Sequence, residues 1–231
     1  MIKCAIISSI QSENFLNLNK NIADKFDIFL MSYKDHNFIN EKYSYEKKII
    51  NLKKSATGMK YINLSESFEL NELLNYDFIY IHDDDTCVDY DELYIFLKIM
   101  QNDDIHLAQV SLSHDSYYSH LITLNDKRYI YRETNFIEGM SPIFSKYALK
   151  ELYETFTINN TSWGLDYLWC YKMLKEQKKI AICDMTQMKH YRKPMSNYGD
   201  EGSIRAYNDM MAILNKYNIS QEHKTLSFKE K

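Results

Sequence analysis

The chain has 231 residues, 45% hydrophobic, 26% charged and 14% aromatic, with a formal net charge of -4. That length suits one sizeable domain whose core needs neither disulfide nor metal, and the composition excludes a disordered chain. The mild acidity argues against a nucleic-acid partner, and apolar runs no longer than five residues, such as Leu93–Leu97, exclude a membrane-spanning helix.

In chain order, residues 3–10 predict a buried first strand. Residues 14–25 predict a short helix with Phe15, Leu18 and Ile22 on one face. FDIFLMSY, 26–33, is a second strand. EKYSYEKKIINLKK, 41–54, predicts a helix with a lysine-rich solvated face. Further helices are expected over 57–64 and over ELNELL. FIYIH, 78–82, is an apolar strand, followed by a helix over 89–101 with Leu93, Phe96, Leu97 and Met100 inward. IHLAQVSL, 105–112, is the next strand. Two strand-like runs within 117–137, separated by Asn125-Asp126, suggest a hairpin. PIFSKYALKELYETF begins a helix, and DYLWCYKMLKEQ is a longer one. KIAICDM, 179–185, is a late strand. Residues 203–217 form a C-terminal amphipathic helix, and 222–231 a frayed tail. Strands alternating with helices imply a single α/β domain over 1–231, with a mostly parallel central sheet flanked by helices.

The N-terminus turns polar too early for a signal peptide. Four cysteines, at 4, 87, 170 and 183, form no C-x-x-C pair. They read as reduced thiols in a cytoplasmic protein. Five glycines, two prolines and two tryptophans are scarce for such a chain. They cluster in ATGMK, EGMSP, SWGLDYLW and HYRKPMSNYGDEG, which marks these stretches as backbone-critical segments around one site.

Asp83, Asp84 and Asp85 directly follow the strand 78–82. Ligands of α/β sheets bind beyond the carboxyl ends of strands, and three adjacent carboxylates repel unless something positive intervenes. A divalent cation, Mg²⁺ or Mn²⁺, suits such hard oxygens. On an extended backbone Asp83 and Asp85 share one face, and Asp84 turns away or meets the nucleotide. His82 is read as a core or supporting histidine. Asp166 lies near a helix start and has two readings: a carboxylate on the helix dipole, or a base that takes a proton from an attacking hydroxyl. Trp163 offers a flat face to a sugar. His190 follows the late strand and would complete a metal or diphosphate site, tilting preference toward Mn²⁺. Arg192 and Lys193 are cations placed to meet phosphate, and SNYGDEGS is a possible lid.

These landmarks, in this order, resemble GT-A-fold glycosyltransferases. GMKYIN is similar to the basic, amide-bearing helix before the metal motif, FIYIHDDD to the strand ending in a DXD motif, EGMSPIFSKYAL with SWGLDYLW to the acceptor-side segment and aspartate-bearing helix, and MKHYRKP to the late metal-binding histidine. The resemblance implies a GT-A-like domain, a nucleotide-sugar donor, a divalent cation and a carbohydrate or other hydroxyl acceptor. It implies that Asp83 and Asp85 bind metal with His190, that Asp83 and Asp84 contact the donor, and that Lys60 and Asn63 hold its nucleotide half. Glu138 would contact the acceptor and Asp166 would be the base of an inverting reaction. Surface-polysaccharide assembly in the cytoplasm is the expected setting, with weak peripheral membrane association allowed and the oligomeric state open. The rival readings are a metal-dependent phosphoester hydrolase, a sugar-nucleotide nucleotidyltransferase and a catalytically silent sugar-nucleotide-binding module. The nucleotidyltransferase would want a glycine-rich loop that CAIISSIQSEN lacks.

Overall fold

The computed structural model of the chain describes residues 1–10, 25–32, 49–54, 59–194, 196 and 199–231. In chain order the elements are β1 (Cys4–Ile10), β2 (Phe26–Ser32), β3 (Ile49–Lys54), α1 (Lys60–Ser67), the one-turn α2 (Leu70–Leu73), β4 (Phe78–Asp83), the two-residue β5 (Thr86–Cys87), α3 (Tyr90–Asn102), β6 (Ile105–Leu112), β7 (Tyr129–Thr134), β8 (Pro142–Ser145), α4 (Lys146–Leu152), α5 (Leu165–Lys175), β9 (Lys179–His190), α6 (Gly199–Tyr217) and β10 (Thr225–Glu230).

Every residue of β1 is buried, as expected of a central strand covered on both faces. The sheet runs β10-β7-β9-β6-β8-β4-β1-β2-β3, with β5 joined to β9 off this path. It is mixed α/β. β1 is parallel to β2 and β4, β2 to β3, and β6 to β9. β8 runs antiparallel between β4 and β6, and β7 pairs antiparallel with β9 and β10. Alternation along the strands feeds two cores. Ile6, Ile10 and Tyr80 pack with Phe96, Leu97 and Met100 of α3. Ile7 and Ile81 pack on the other face with Leu64 of α1, Leu149 of α4 and Trp169 of α5. Trp169 is fully buried and its Nε1–H reaches the Thr155 hydroxyl at 2.7 Å, which satisfies the polar end of a large core side chain.

Several expected elements change. Residues 49–54 form a strand rather than the end of a helix, because a short apolar run between lysines fits either period and pairing with β2 decides; 41–48, and residues 14–24 of the helix expected over 14–25, lie outside the described residues. The hairpin over 117–137 does not form. The first run is a loop with a 3-10 turn at Leu121–Thr123, and β7 finds its partners in β9 and β10. PIFS is a strand, not a helix start. Pro142 opens it, where a missing N–H is tolerated, and Ser145 then caps α4 by accepting the N–H of Ala148. The tail is not frayed: Thr225–Glu230 pairs with β7, and Phe228 packs on Tyr129 with ring centroids 4.6 Å apart. Within the expected lid, Gly199 to Ser203 are the first residues of α6, and Asn197 and Tyr198 lie outside the described residues. Cys4, Cys87, Cys170 and Cys183 are free thiols. Among the described residues, no helix is long and apolar enough to cross a membrane.

Candidate functional site

The apolar run of β4 ends at Asp83, where the chain leaves the core. Asp84 and Asp85 form the turn into β5. β5 then pairs antiparallel with the end of β9, setting Thr86 against His190 and Cys87 against Lys189. The Tyr191 N–H donates to the Asp85 carbonyl at 3.0 Å. This backbone clamp brings the three aspartates to the segment His190–Arg192, more than 100 residues away in the chain.

Each acid has a positive neighbour. Lys60, the first residue of α1, reaches Asp83 at 2.7 Å and also donates to the carbonyls of Gly139 and Met140. Burial raises the Asp83 carboxyl above its ordinary range, and the Lys60 charge opposes the rise. Arg192 Nε lies 3.3 Å from Asp85 and Nη2 3.5 Å from Asp84. His190 Nε2 lies 3.5 Å from Asp85. Burial alone would raise Asp85, but the histidine and arginine hold its carboxyl below the usual range. Burial would lower His190, and Asp85 raises it above its ordinary value instead. The expected alternation of Asp83 and Asp85 on one extended face gives way to a turn after Asp83. Asp84 is buried against Arg192 rather than turned away. Relief of the acidic repulsion therefore comes from Lys60, Arg192 and His190 of the chain itself.

Among the described residues, no group of three or more His, Cys, Asp or Glu side chains forms a metal-holding cluster. A smaller set fits a cation. His190 Nδ1 lies 3.1 Å from the Tyr117 carbonyl. A carbonyl can only accept, so Nδ1 keeps its proton, and a cation entering here would displace the Nε2 proton and take up the lone pair that then faces Asp85. One carboxylate and one imidazole are too few for a closed protein cage. They suit an ion that takes its remaining ligands from substrate phosphates and water, as nucleotide-bound divalent ions do.

His82 sits beneath. Its Nδ1 lies 2.8 Å from the Asp83 carbonyl and its Nε2 3.4 Å from the Tyr90 hydroxyl. Burial pushes it down to about 4, so it is a neutral support for the turn.

Across from these groups lies a second acidic pair. α5 begins after Gly164, a left-handed residue with φ 83°. Asp166, in the first turn, accepts the N–H of Tyr167 at 2.9 Å and of Gly139 at 3.2 Å. Burial pushes it up to about 6, against the pull of these N–H groups. Glu138 is fixed through its backbone, whose N–H donates to the Gln109 side chain. Its Oε2 is buried without a hydrogen-bond partner. Burial, then the charge of Asp166, pushes Glu138 up to about 7. The two acidic groups are joined through one residue: Lys60 spans Asp83 and the Gly139 carbonyl, and the Gly139 N–H holds Asp166.

Lys60, Asp83, Asp84, Asp85, Glu138, Asp166, His190 and Arg192 are thus gathered at one end of the sheet. Asn63 lies one turn beyond Lys60 on α1 and is buried. Trp163 is half-buried, with its backbone held by Asn159 and Thr161. Sequence reasoning missed Tyr117, which sets the His190 tautomer, and Gln109, which fixes Glu138. Their roles come from contacts 73 and 29 residues away, and neither belongs to a recognisable pattern. Gly139 had a signal, as one of five glycines.

The fold is similar to that of solved structures. S. aureus TarS 1–349 in complex with UDP-GlcNAc superposes with a TM-score of 0.63 at 14% identity, over 96% of this chain and 68% of that one. Against S. aureus TarS in a longer form the chain covers 41% of the partner. GalNAc-T7 with UDP, GalNAc and Mn²⁺ gives a TM-score of 0.67 at 9% identity, over 94% of this chain and 49% of that one. At such identity the likeness is one of fold, and it supports the GT-A-like architecture expected from sequence. No curated protein matches the chain. The model of the family described as "Protein of unknown function (DUF707)" matches residues 4–228, and the chain belongs to that family.

Proposed function

We propose that the protein is a glycosyltransferase that moves a sugar from a nucleotide-diphosphate donor to a hydroxyl of a glycan or similar acceptor. One observation carries the reading. A cationic and acidic cluster at the ends of β4 and β9 is linked through Lys60 and Gly139 to a half-buried carboxylate on α5, in a fold whose solved neighbours bind UDP-GlcNAc or UDP, GalNAc and Mn²⁺. In the transfer, the acceptor oxygen bonds to the anomeric carbon while the bond from that carbon to the diphosphate breaks. The electron pair leaves with the nucleoside diphosphate, and the hydroxyl proton passes to Asp166. A base on the face opposite the leaving group gives inversion. An aspartate raised to about 6 is ionised at neutral pH yet more basic than a solvated one, and a positioned base is worth roughly 10²–10⁴-fold. Arg192 and Lys60 turn toward the phosphates when the donor binds, since guanidinium and ammonium groups both pair with phosphate. A divalent cation, Mn²⁺ or Mg²⁺, held by Asp85 and His190, would supply Lewis-acid relief of the leaving-group charge. Lys60 and Asn63 serve the nucleotide half of the donor. Surface-polysaccharide assembly in the cytoplasm is the setting we propose for this chemistry.

A second reading is the same transfer without metal, with Arg192, His190 and Lys60 neutralising the diphosphate. The approach of Arg192 to Asp85 favours it, because that guanidinium already stands beside the carboxylate expected to hold the ion. A thermal-shift screen of nucleotide sugars with Mn²⁺ or with chelator tests both. Ligand present at 100 times its Kd stabilises by about 2.7 kcal/mol, a readily measured rise in Tm. A rise that requires Mn²⁺ supports the first reading, and one that survives chelation the second. Mass spectrometry of transfer by wild type and Asp166→Asn completes the test. The variant is expected to bind donor and lose transfer by at least 100-fold. No rise with any nucleotide sugar, or full transfer by the variant, rejects the assignment.

A further inference from the structure

The loop between β6 and β7 presents two large rings for which the roles above have no use. Tyr117 and Tyr118 are 51% and 44% exposed. Exposed aromatic residues are ordinary when scattered over a surface. These two are adjacent, and the backbone that carries them is held tightly. The Ser116 hydroxyl accepts the N–H of His190 at 3.2 Å. The Tyr117 N–H donates to the His190 carbonyl at 3.2 Å, and the Tyr117 carbonyl accepts from the His190 ring. The Ser119 hydroxyl faces the Glu138 carboxyl and partly offsets the effect of burial there. Residue 117 is therefore fixed to the phosphate end of the site and residue 119 to the end that holds Glu138 and Asp166. Tyr118 stands between them.

An acceptor must occupy that same interval, because its hydroxyl has to lie between the base and the carbon bonded to the leaving group. The nucleotide half of the donor belongs on the opposite side, toward α1 and Lys60. A pyranose has a contiguous face of C–H groups that matches an aromatic plane, whereas an open-chain polyol has no such face. Tyrosine also offers a hydroxyl at the rim for the polar edge of the sugar, and it orders few torsions on binding.

We propose that Tyr118, with Tyr117 beside it, is the acceptor platform, and that the acceptor is a ring-form sugar whose apolar face stacks there. The inference rests on the glycosyltransferase reading and specifies the acceptor class of that site. Both tyrosines bind and orient the acceptor.

Saturation-transfer NMR on the UDP- and Mn²⁺-loaded protein tests it. The probes are the methyl pyranosides of glucose, galactose and N-acetylglucosamine, with ribitol as the open-chain arm. Wild type and Tyr118→Phe are expected to saturate the ring C–H protons of at least one pyranoside. Tyr118→Ala is expected to weaken that signal at least fivefold, and Tyr118→Leu, which keeps apolar bulk without a flat face, to weaken it as well. The Tm of each variant checks the fold, and Tyr118→Phe against Tyr118→Leu separates the ring from mere bulk. Equal signals in wild type and Tyr118→Ala, no pyranoside signal in the nucleotide-loaded wild type, or stronger saturation of ribitol than of every pyranoside overturns the inference while donor binding stands. A wild type that binds no nucleoside diphosphate or nucleotide sugar overturns the glycosyltransferase reading, and this inference falls with it.

Discussion

Glu138 keeps one carboxyl oxygen away from water and without a hydrogen-bond partner. Charging such a group costs free energy, so its carboxyl is raised to about 7 in the folded chain. The sign for stability follows. A carboxyl raised above its unfolded value of about 4.3 contributes stability that is complete below that value and is lost as pH climbs through about 7. Glu138→Gln removes the charge while keeping the shape. The variant is expected to match wild type near pH 4 and to exceed it above pH 7, by on the order of 1–3 kcal/mol. Thermal melts across pH 4–8 check this, and a gap that shrinks as pH rises contradicts it. The site thus holds an acid that weakens the fold when ionised, the kind of local cost that clusters at functional positions. Asp166, 28 residues on, has a different balance. Two backbone N–H groups moderate its rise, so it is the more readily ionised of the pair. With Asp166 as the proposed base, transfer is expected to fall about tenfold for each pH unit below about 6, as that carboxylate takes up its proton.

At the scale of single elements, the start of α5 decides where Asp166 points. Gly164 has a φ of 83°, and a Cβ built there would lie 2.8 Å from the Cα of Met210 in α6. Glycine is thus required twice, by conformation and by close helix contact. Gly164→Ala is expected to cost roughly 2–4 kcal/mol, summing left-handed strain and overpacking. Urea denaturation measures it, and a change below 0.5 kcal/mol removes the contact from the account. The two-residue β5 is a second example. It buries little surface, yet its pairing with β9 sets the aspartates against His190. Which parts of the site could be read from the chain follows from this contrast. Asp83–Asp85, Asp166, His190 and Arg192 are chemistry-bearing residues beside predicted strands and helices, which place them, whereas Lys60 is legible only through the GT-A resemblance of GMKYIN. Tyr117, Gln109 and β5 act through partners far along the chain, which no local pattern encodes. The same limit explains 225–230. In TLSFKE only Leu226 and Phe228 alternate with polar residues, a run too short to mark a strand, and its strand character comes from pairing with the edge of β7.

Across the whole molecule, the order of strands in space departs from their order in the chain. β9 lies between β6 and β7, and β8 lies between β4 and β6. The α/β alternation visible in the sequence predicts the layers and the parallel pairs around β1. It misses the antiparallel insertions, because strand direction is set by pairing and not by periodicity. The acidic and cationic residues nevertheless meet, since the carboxyl ends of β4 and of β9 open on the same side through β5.

That strand order has a consequence for biosynthesis. The groove left between β6 and β7 can be filled only when residues 179–190 have emerged, and those residues end in the imidazole that faces Asp85. Pairings so distant in sequence form slowly, on the millisecond-to-second scale typical of high contact order. A nascent chain that stops short of this segment carries Asp84 and Asp85 without His190 and Arg192, their partners in the folded protein. Charge balance at this end of the sheet thus waits on a strand far along the chain from the acids, and translation past residue 192 is the condition for it.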